Sequence, residues 1–586
     1  MISWLIATAL AAPLDADALR HKAWARDVDA LLEAQVDAED VGALVDALGA
    51  VADPSVLPRL DALASLPDAE LRARVAWAAG RVPGAADLLR RRLAEEQVAS
   101  VRAAILRGLG AVGDESDVAG LLIFAAREPA AALALGGLAS RGIEVPAPPL
   151  LAALGGLDQA PGRARALAFA LSRLDPTPLD PPEASRVARA WSRAPDDASR
   201  AWLTPWRFAQ ASGAARRSLL REALAAGPLT RAAAVRQATS QDLSESGWRT
   251  LADSGDPWVA PVAWRMLGVG PSGAVVVPDA EGLLEQALGD DMPAARSRAA
   301  ARRLRMEPDA RASLAAASDP VVRELVAAAV AAAPDAAGCG LVGAGLAEAR
   351  DGAAASLASA LAWVEAARAC GARFPLRGAA RQTLLDTAGS SDAVLRRAAR
   401  TAVAAHGLDA PEVGPPRLSP PLARMVEDLD AVRSLRRAVV KTTQGVVHLT
   451  LLPDAAPLAV AAFAALAESG FYDGLAFHRV LPGVLIQTGD PRGDGMGDAG
   501  VMLPDEPNRG VFSTGSVGMA TNGPDTGAGQ WFILTGPQPH LDGRYTRFAE
   551  VSRGQQVARR LGPRDTVLKV IVERDVPVDV ATVGRP

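Results

Sequence analysis

The sequence predicts a two-part protein, with a long α-helical repeat region followed by a small antiparallel β-barrel. Segments rich in Ala, Leu and Val with helical spacing recur from about residue 30 to residue 405. From Ala438 onward the apolar pattern changes to the two-residue period of strands. One helical hairpin cannot bury its own apolar face, so the units of the first region must stack. Many short strands with few helices favour a small closed barrel.

Composition excludes several classes of protein. The 586-residue chain has 49% hydrophobic and 22% charged residues, an ordinary balance for a globular protein rather than a disordered or fibrous one. No apolar run reaches the roughly 18 residues needed to cross a bilayer, so we expect no stable membrane insertion. The net charge of −5 argues against a nucleic-acid partner. The five His residues are scattered and there is no CxxC motif, so we expect neither a metal ion nor a cofactor.

The N-terminus indicates export. Residues 2–10 form a short apolar stretch, and Ala9-Leu10-Ala11 offers an A-x-A cleavage signal, although no Lys or Arg precedes it. We therefore predict a signal peptide at 1–11 and a periplasmic or other extracytoplasmic location, with a buried first helix of a cytoplasmic protein as the alternative. In an oxidising compartment Cys339 and Cys370 could form a disulfide. Two unpaired buried thiols are the other interpretation.

The breaks between the helical segments share a pattern. Asp-Pro pairs begin segments at Asp53, Asp256 and Asp319, and Asp392 precedes a further one. Asp accepts hydrogen bonds from the free N–H groups of a helix start, and Pro fits the first turn because it wastes no donor there. The recurring D-x-x-V-R-x-x-A pattern resembles HEAT-type repeats. The resemblance implies a solenoid over residues 12–406 that binds clients or a protein partner.

A change in residue composition marks the boundary between the two parts. Five prolines lie within residues 411–421, so we expect residues 407–436 to form a stiff linker and one short helix, at about 422–436. The second domain is predicted at 437–576, followed by a tail at 577–586. Its expected elements are two strands around the Gln444-Gly445 turn, a helix at 458–469, and strands at 477–486, 530–534 and 567–573.

Arg479 is the most informative residue of the second domain. It is the only charge in an apolar, strand-like segment, and an Arg in such a segment rarely lacks a partner or a function. The one acid nearby, Asp490, lies at the far end of the segment. We therefore expect the guanidinium to point into an apolar groove that holds a neutral, amide-like ligand.

The segments FYDGLAFHRVLPGVLIQTGDPRGDGMG and DEPNRGVFSTGSVGMATNGPDTGAGQWFILTGPQPHLDGRYTRFAEV resemble the cyclophilin family of peptidyl-prolyl cis-trans isomerases. The resemblance extends over residues 439–574. It implies an eight-stranded antiparallel barrel capped by two helices, with a substrate groove on its outer surface. It also implies that the protein isomerises X–Pro bonds in proline-containing protein clients.

The resemblance assigns the site residues. Arg479 takes the place of the catalytic arginine, and Gln487 takes the place of the glutamine that orients it and binds the substrate. The remaining positions of the substrate groove are Val484, Leu485, Ala520, Thr521, Asn522, Gln530, Phe532, His540, Leu541 and Tyr545.

Four positions depart from the family pattern. Thr488 replaces the first Gly of a Q-G-G-D motif, and Thr521 replaces the usual Asn in a contact made largely by the backbone. Val484 stands where the family usually has a Phe that stacks on the proline ring, which removes contact worth about 1–2 kcal/mol. His540 stands where many members have a Trp linked to cyclosporin binding, so we expect the drug to bind weakly. The Val484 change leaves an alternative open, in which the barrel is a weakened, non-catalytic peptide-binding module of a scaffold protein.

Overall fold

The protein was analysed as a computed structural model that describes residues 13–154, 160–239, 242–252, 254, 259, 300, 304, 308–317, 319–351, 357–390, 392–411, 420–481, 483–493, 495–562 and 565–574. The predicted signal peptide, the repeat start at Asp256, residues 412–419 of the linker and the predicted tail lie outside these residues. The described residues contain 26 α-helices and eight strands. None of these helices is both long enough and apolar enough to cross a membrane.

The first part of the chain is helical throughout its described residues. Its first sixteen helices are α1 (Ala16–Trp24), α2 (Val28–Glu33), α3 (Val41–Val51), α4 (Leu57–Leu63), α5 (Ala69–Ala79), α6 (Ala86–Glu95), α7 (Ala99–Val112), α8 (Glu115–Ala125), α9 (Pro129–Ser140), α10 (Ala147–Ala153), α11 (Pro161–Leu171), α12 (Pro181–Ser192), α13 (Asp197–Ala209), α14 (Gly213–Leu224), α15 (Pro228–Gln237) and α16 (Glu245–Ala252). The next six are α17 (Arg311–Ala315), α18 (Pro320–Ala332), α19 (Ala336–Asp351), α20 (Leu357–Cys370), α21 (Gly378–Ala388) and α22 (Ala393–Ala405).

These helices stack in two rows. The odd-numbered helices from α1 to α15 pack side by side in chain order, and α18, α20 and α22 do the same. We call these helices the inner row; most intervening helices pack against the inner-row helix that follows them. Asp53, Asp319 and Asp392 each accept a backbone N–H at the start of a helical segment, as the repeated pattern predicts. The described residues therefore show stacked helix pairs, while the assignment to HEAT-type repeats stays a prediction.

A disulfide joins two neighbouring helices of the second group. Cys339 lies on α19 and Cys370 ends α20, and their sulfur atoms are bonded. Both residues are buried in a core built from Ala, Val and Leu of α18 to α22. Of the two interpretations that the sequence left open, the structure has the disulfide.

The second part is an eight-stranded antiparallel half-barrel. Its strands are β1 (Leu435–Thr442), β2 (Gly445–Leu451), β3 (Arg479–Leu481), β4 (Leu485–Thr488), β5 (Ser516–Met519), β6 (Trp531–Leu534), β7 (Arg547–Arg553) and β8 (Val567–Arg574). They are hydrogen-bonded in the order β3-β4-β6-β5-β7-β2-β1-β8. Among the described residues, one isolated bridge between Ala476 and Thr566 joins the two ends of this order. The sheet is thus less completely closed than the predicted barrel.

Four further helices belong to this part of the chain. They are α23 (Pro420–Met425), α24 (Leu429–Arg433), α25 (Pro457–Glu468) and α26 (Gln555–Arg560). The single helix expected at about 422–436 is wrong: Asp428 has an extended backbone and caps a second helix, and β1 already begins at Leu435. The strand expected at 477–486 is instead the hairpin of β3 and β4, which turns through Gly483 at a φ of 74°.

The core of the half-barrel lies between the sheet and α25. Phe463 of α25 contacts the rings of Tyr472, Trp531 and Phe548. Trp24, the last residue of α1, is part of the same buried cluster. Trp24 of α1 therefore packs into the core of the half-barrel.

Candidate active site

Arg479 is held by a chain of hydrogen bonds across three strands. It lies opposite Gln487 in the β3–β4 ladder, and its Nη1 donates to Gln487 Oε1 at 3.2 Å. Gln487 Nε2 in turn donates to Gln530 Oε1 at 2.8 Å. Gln530 is fixed because its Nε2 donates to the carbonyl oxygens of Gly495 and Gly497. Arg479 itself is exposed, so a donor of fixed direction stands on an open surface.

An apolar pocket lies beside this arginine. Its buried members are Leu485, Phe512, Phe532, Leu534 and Leu541, with Val484, Ala520 and Tyr545 partly buried against them. The Phe532 ring packs edge-on against Tyr545, with 6.0 Å between the ring centroids. Leu485 and Phe532 reach the pocket from paired strands, β4 and β6. Leu485, Phe532 and Leu541 of this cluster line the cavity beside Arg479 and give it an apolar surface.

Residues 520–522 form the third side of the site. The Ala520 N–H donates to the carbonyl of Gln530, which ties this segment to β6. The Asn522 N–H donates to Thr526 Oγ1 at 2.8 Å. Ala520 and Thr521 are half-buried and Asn522 is exposed, so the segment borders open space.

All twelve predicted site residues line one cavity of about 1920 Å³. The structure therefore brings together side chains that the sequence spreads over 67 positions, from Arg479 to Tyr545. Among the described residues there is no group of three or more His, Cys, Asp or Glu side chains that could hold a metal ion.

Comparison with known proteins agrees with this geometry. The family described as cyclophilin type peptidyl-prolyl cis-trans isomerase/CLD matches residues 437–583. A peptidyl-prolyl cis-trans isomerase of Synechococcus elongatus is 40% identical over 143 residues, which are 24% of this chain and 99% of the relative. Peptidyl-prolyl cis-trans isomerase B of Bacillus subtilis is 43% identical over 129 residues, which are 22% of this chain and 90% of the relative.

The chain belongs to the cyclophilin family. Its enzyme class is that of a peptidyl-prolyl cis-trans isomerase, and the cyclophilin domain occupies the C-terminal quarter of the chain. A cyclophilin crystal structure from Cryptosporidium parvum covers 24% of this chain and 99% of its own, with 26% identity and a TM-score of 0.23.

The helical region reaches the edge of the cyclophilin groove. His540 stacks on Phe169 of α11, with 6.2 Å between the ring centroids. Burial, followed by the charges of Arg173 and Arg544, lowers the pKa of His540 to about 4. The imidazole is therefore neutral at physiological pH, and it packs as an apolar ring rather than acting as a proton carrier.

A second contact lies beside Val484. Leu229 of α15 packs over Gly483 and Gly536, where a Cβ atom would lie 3.1 Å and 3.3 Å from Leu229 Cδ2. Gly483 immediately precedes Val484. Leu229 of the helical region therefore adds an apolar side chain next to Val484.

A buried carboxylate joins both ends of the helical region to the cyclophilin domain. Asp525, three residues after Asn522, pairs with Arg26, which follows α1, and with Arg397 of α22. The side chains of Arg26 and Asp525 are only 3% and 2% exposed. Burial alone would raise the pKa of Asp525, but the charges of Arg26 and Arg397 outweigh it and hold that pKa well below its usual range. We call these three residues the Asp525 cluster.

Sequence reasoning missed the residues that the helical region contributes to the cavity. Arg26, Glu324 and Arg397 line it together with Arg479. They are separated from Arg479 by 82 to 453 positions in the chain. No local pattern marks them, because their proximity depends on how the helices curve around the barrel.

Proposed function

We propose that this protein catalyses cis–trans isomerisation of X–Pro bonds in protein clients during folding, with Arg479 as the catalytic residue and with the helical region binding clients or a partner. The observation that carries the proposal is the Arg479–Gln487–Gln530 chain of hydrogen bonds beside an apolar pocket. It places a charged donor at the edge of a cavity shaped for a proline ring.

The chemistry needs little from the protein. An X–Pro bond rotates over a barrier of about 18–20 kcal/mol because resonance gives the C–N bond partial double-bond character. A guanidinium N–H directed at the prolyl nitrogen localises its lone pair and weakens that resonance. Gln487 keeps the Arg479 side chain in place, since its carbonyl oxygen accepts from Nη1.

Rotation also requires that the two sides of the bond be held separately. The apolar pocket around Phe532 and Leu541 fixes the proline ring. The 520–522 segment borders the cavity and binds the backbone of the preceding residues. One side of the peptide can then turn against the other without a covalent intermediate, metal or nucleotide.

Export and a HEAT-type solenoid are part of the same proposal. The Cys339–Cys370 disulfide supports export, because disulfides persist mainly in oxidising compartments. The two-row stacking of the helices supports a repeat solenoid. Detection of Met1 on the mature protein isolated from cells would contradict export.

The direct test is NMR exchange between the cis and trans forms of an Ala-Ala-Pro-Phe peptide, with the full-length protein. We expect the protein to accelerate exchange and Arg479→Ala to reduce kcat/KM about a hundred-fold or more, as removal of a directed donor does in other enzymes. Arg553→Ala is a matched control, since Arg553 is also an exposed strand arginine but does not line the cavity.

The same experiment distinguishes an isomerase from the alternative, a non-catalytic peptide-binding scaffold. Val484, half-buried and small, is the observation that favours the alternative. A folded protein that binds the peptide but leaves its exchange rate unchanged would make the barrel a peptide-binding module. Equal activity of the wild-type protein and Arg479→Ala would remove Arg479 from the mechanism.

A further inference from the structure

The cavity that holds Arg479 has a second side, which the helical region supplies. Residues of α18, α20 and α22 line the same cavity as the twelve groove residues. Those used below are Leu325, Ala328, Leu361, Ala362, Ala398 and Ala404, which we call the helical wall. The volume of about 1920 Å³ exceeds the roughly 300–1,000 Å³ of a typical small-molecule pocket. The space therefore extends well beyond what one X–Pro unit fills.

The helical wall has the chemistry of a surface for extended polypeptide. Its residues are Ala and Leu, and they present apolar surface from three neighbouring helices of the inner row. Ala328 and Ala404 are exposed, which leaves this surface open to the cavity. Charged side chains of the same helices also line the cavity, and some of them are held in ion pairs: Glu365 bonds Arg368, and Arg397 bonds Asp525. The apolar residues between them can contact varied side chains of a bound chain.

Contacts join the helical region to the edges of the groove. Phe169 covers His540, Leu229 covers Gly483, and Arg492 pairs with Asp319 at the start of α18 with N–O distances of 3.2 Å. The Asp525 cluster closes a further side beside residues 520–522. These contacts place the helical region beside the groove, while Arg479 and Asn522 stay exposed. A chain segment bound at Arg479 therefore lies next to the helical region, which an extended polypeptide can follow along its length more readily than a folded domain can.

We infer that the helical wall is the second half of the substrate site, and that it binds the apolar residues flanking an X–Pro bond in an unfolded polypeptide. This inference rests on the proposed isomerase function. The continuity of the wall with the Arg479 groove carries it, because one cavity is lined by both. The substrate class is then extended, unfolded protein chain rather than folded protein.

The test uses one competitor in two states against the full-length protein. Reduced, carboxymethylated α-lactalbumin is unfolded, and native α-lactalbumin has the same sequence in a folded form. Each is titrated into the Ala-Ala-Pro-Phe exchange assay. We expect the unfolded form to inhibit and the native form to be inert at the same concentration. Inhibition by the native form at equal concentration would overturn the inference.

Substitutions in the wall test its contribution. Ala328→Arg and Ala404→Arg place a bulky charge on exposed positions that face the cavity, so folding is preserved. We expect each to raise the inhibition constant of the unfolded competitor by about ten-fold, the loss of one central apolar contact. Ala119→Arg is the matched control, because Ala119 is an exposed alanine of α8 outside the cavity.

The two proposals fail in different ways. If the wild-type protein does not accelerate peptide exchange, the isomerase function itself is wrong. If it does, and Ala328→Arg, Ala404→Arg and Ala119→Arg all leave the inhibition constant unchanged, only the role of the helical wall is wrong. A circular dichroism spectrum equal to that of the wild type confirms that each variant is folded.

Discussion

Val484 determines how well the pocket can hold a proline ring. It is half-buried, lines the cavity, and lies beside Gly483, over which Leu229 packs. An aromatic side chain at this position would add apolar contact on the face of the ring. The sequence alone identifies this weakness, because Val484 stands in a segment that keeps Arg479 and Gln487 of the family motif.

Val484→Phe is expected to raise kcat/KM for the Ala-Ala-Pro-Phe peptide about ten-fold, because it restores contact worth about 1–2 kcal/mol. NMR exchange rates measure the effect. Val446→Phe is the control, since Val446 is an exposed valine of β2 outside the cavity. An unchanged rate for Val484→Phe would mean that the helical region already fills this part of the pocket.

His540 reports on the contact between the two parts of the molecule. Its pKa is lowered to about 4 because burial and then Arg173 and Arg544 oppose its charged form. Phe169→Ala opens one face of the ring to water, so we expect the pKa to rise toward 6.5. An NMR titration of the imidazole measures it. Phe124→Ala, which removes an aromatic ring of α8, should leave the pKa of His540 at about 4.

The sign of this effect on stability follows from the lowered pKa. The unfolded chain binds a proton at His540 below about pH 6.5, whereas the folded protein does so only near pH 4. The stabilisation that the neutral ring gives the folded protein is therefore complete above pH 6.5 and is lost as the pH falls to 4. It amounts to about 3 kcal/mol. The free energy of unfolding, measured at pH 7 and at pH 4, should differ less between the two pH values for His540→Gln than for the wild-type protein.

At the scale of helices and strands, most boundaries were predictable from local signals. A turn at Thr443-Gln444 separates β1 from β2, one residue before the predicted Gln444-Gly445 turn, and α25 lies within one residue of its predicted range. The errors occur where a turn or a helix cap interrupts an apolar segment, as at Gly483 and Asp428. The strand predicted at 477–486 divides into β3 and β4 because Gly483 turns the chain there, and apolar composition does not reveal that turn.

The α19–α20 pair is expected to depend on its disulfide. Cys339 and Cys370 are 31 residues apart, and closing a loop of that length stabilises a fold by about 3–4 kcal/mol. A reductant should therefore lower the thermal midpoint of the wild-type protein. The double variant Cys339→Ala/Cys370→Ala provides the control, because a reductant should not affect it. Free thiols at both positions in protein isolated from cells would contradict the bond and weaken the proposal of export.

At the scale of the whole molecule, the sequence predicts both parts but not how they fit together. The repeat pattern and the cyclophilin motifs are each contained in short segments. The Asp525 cluster is not, because Arg26 and Asp525 are 499 residues apart and Arg397 is 128 residues from Asp525. Such contacts depend on the accumulated curvature of many helices. The twelve groove residues were therefore predictable, whereas the residues that the helical region adds to the cavity were not.

Asp525→Asn tests whether this cluster holds the two parts together. It leaves the Arg26 guanidinium buried without its counter-charge, which costs about 3–5 kcal/mol of unfolding free energy. Asp473→Asn breaks an exposed pair with Lys569 and should cost less than about 1 kcal/mol. The denaturant concentration at the midpoint of unfolding, measured for Asp525→Asn and for Asp473→Asn, compares the two losses of stability. Because its pKa is held low, Asp525 contributes fully above its unfolded pKa of 3.8 and loses its contribution only as the pH falls below that value.

The packing of Trp24 has a consequence for synthesis on the ribosome. Its indole Nε1 donates to Glu506, 482 residues later in the chain, at 2.9 Å. At about 5–20 residues per second, translation leaves roughly 25–100 s between the appearance of the two residues. The first helix of the nascent chain must remain without its final binding site for that interval. The cyclophilin domain, which follows the helical region in the chain, thus completes the burial of α1.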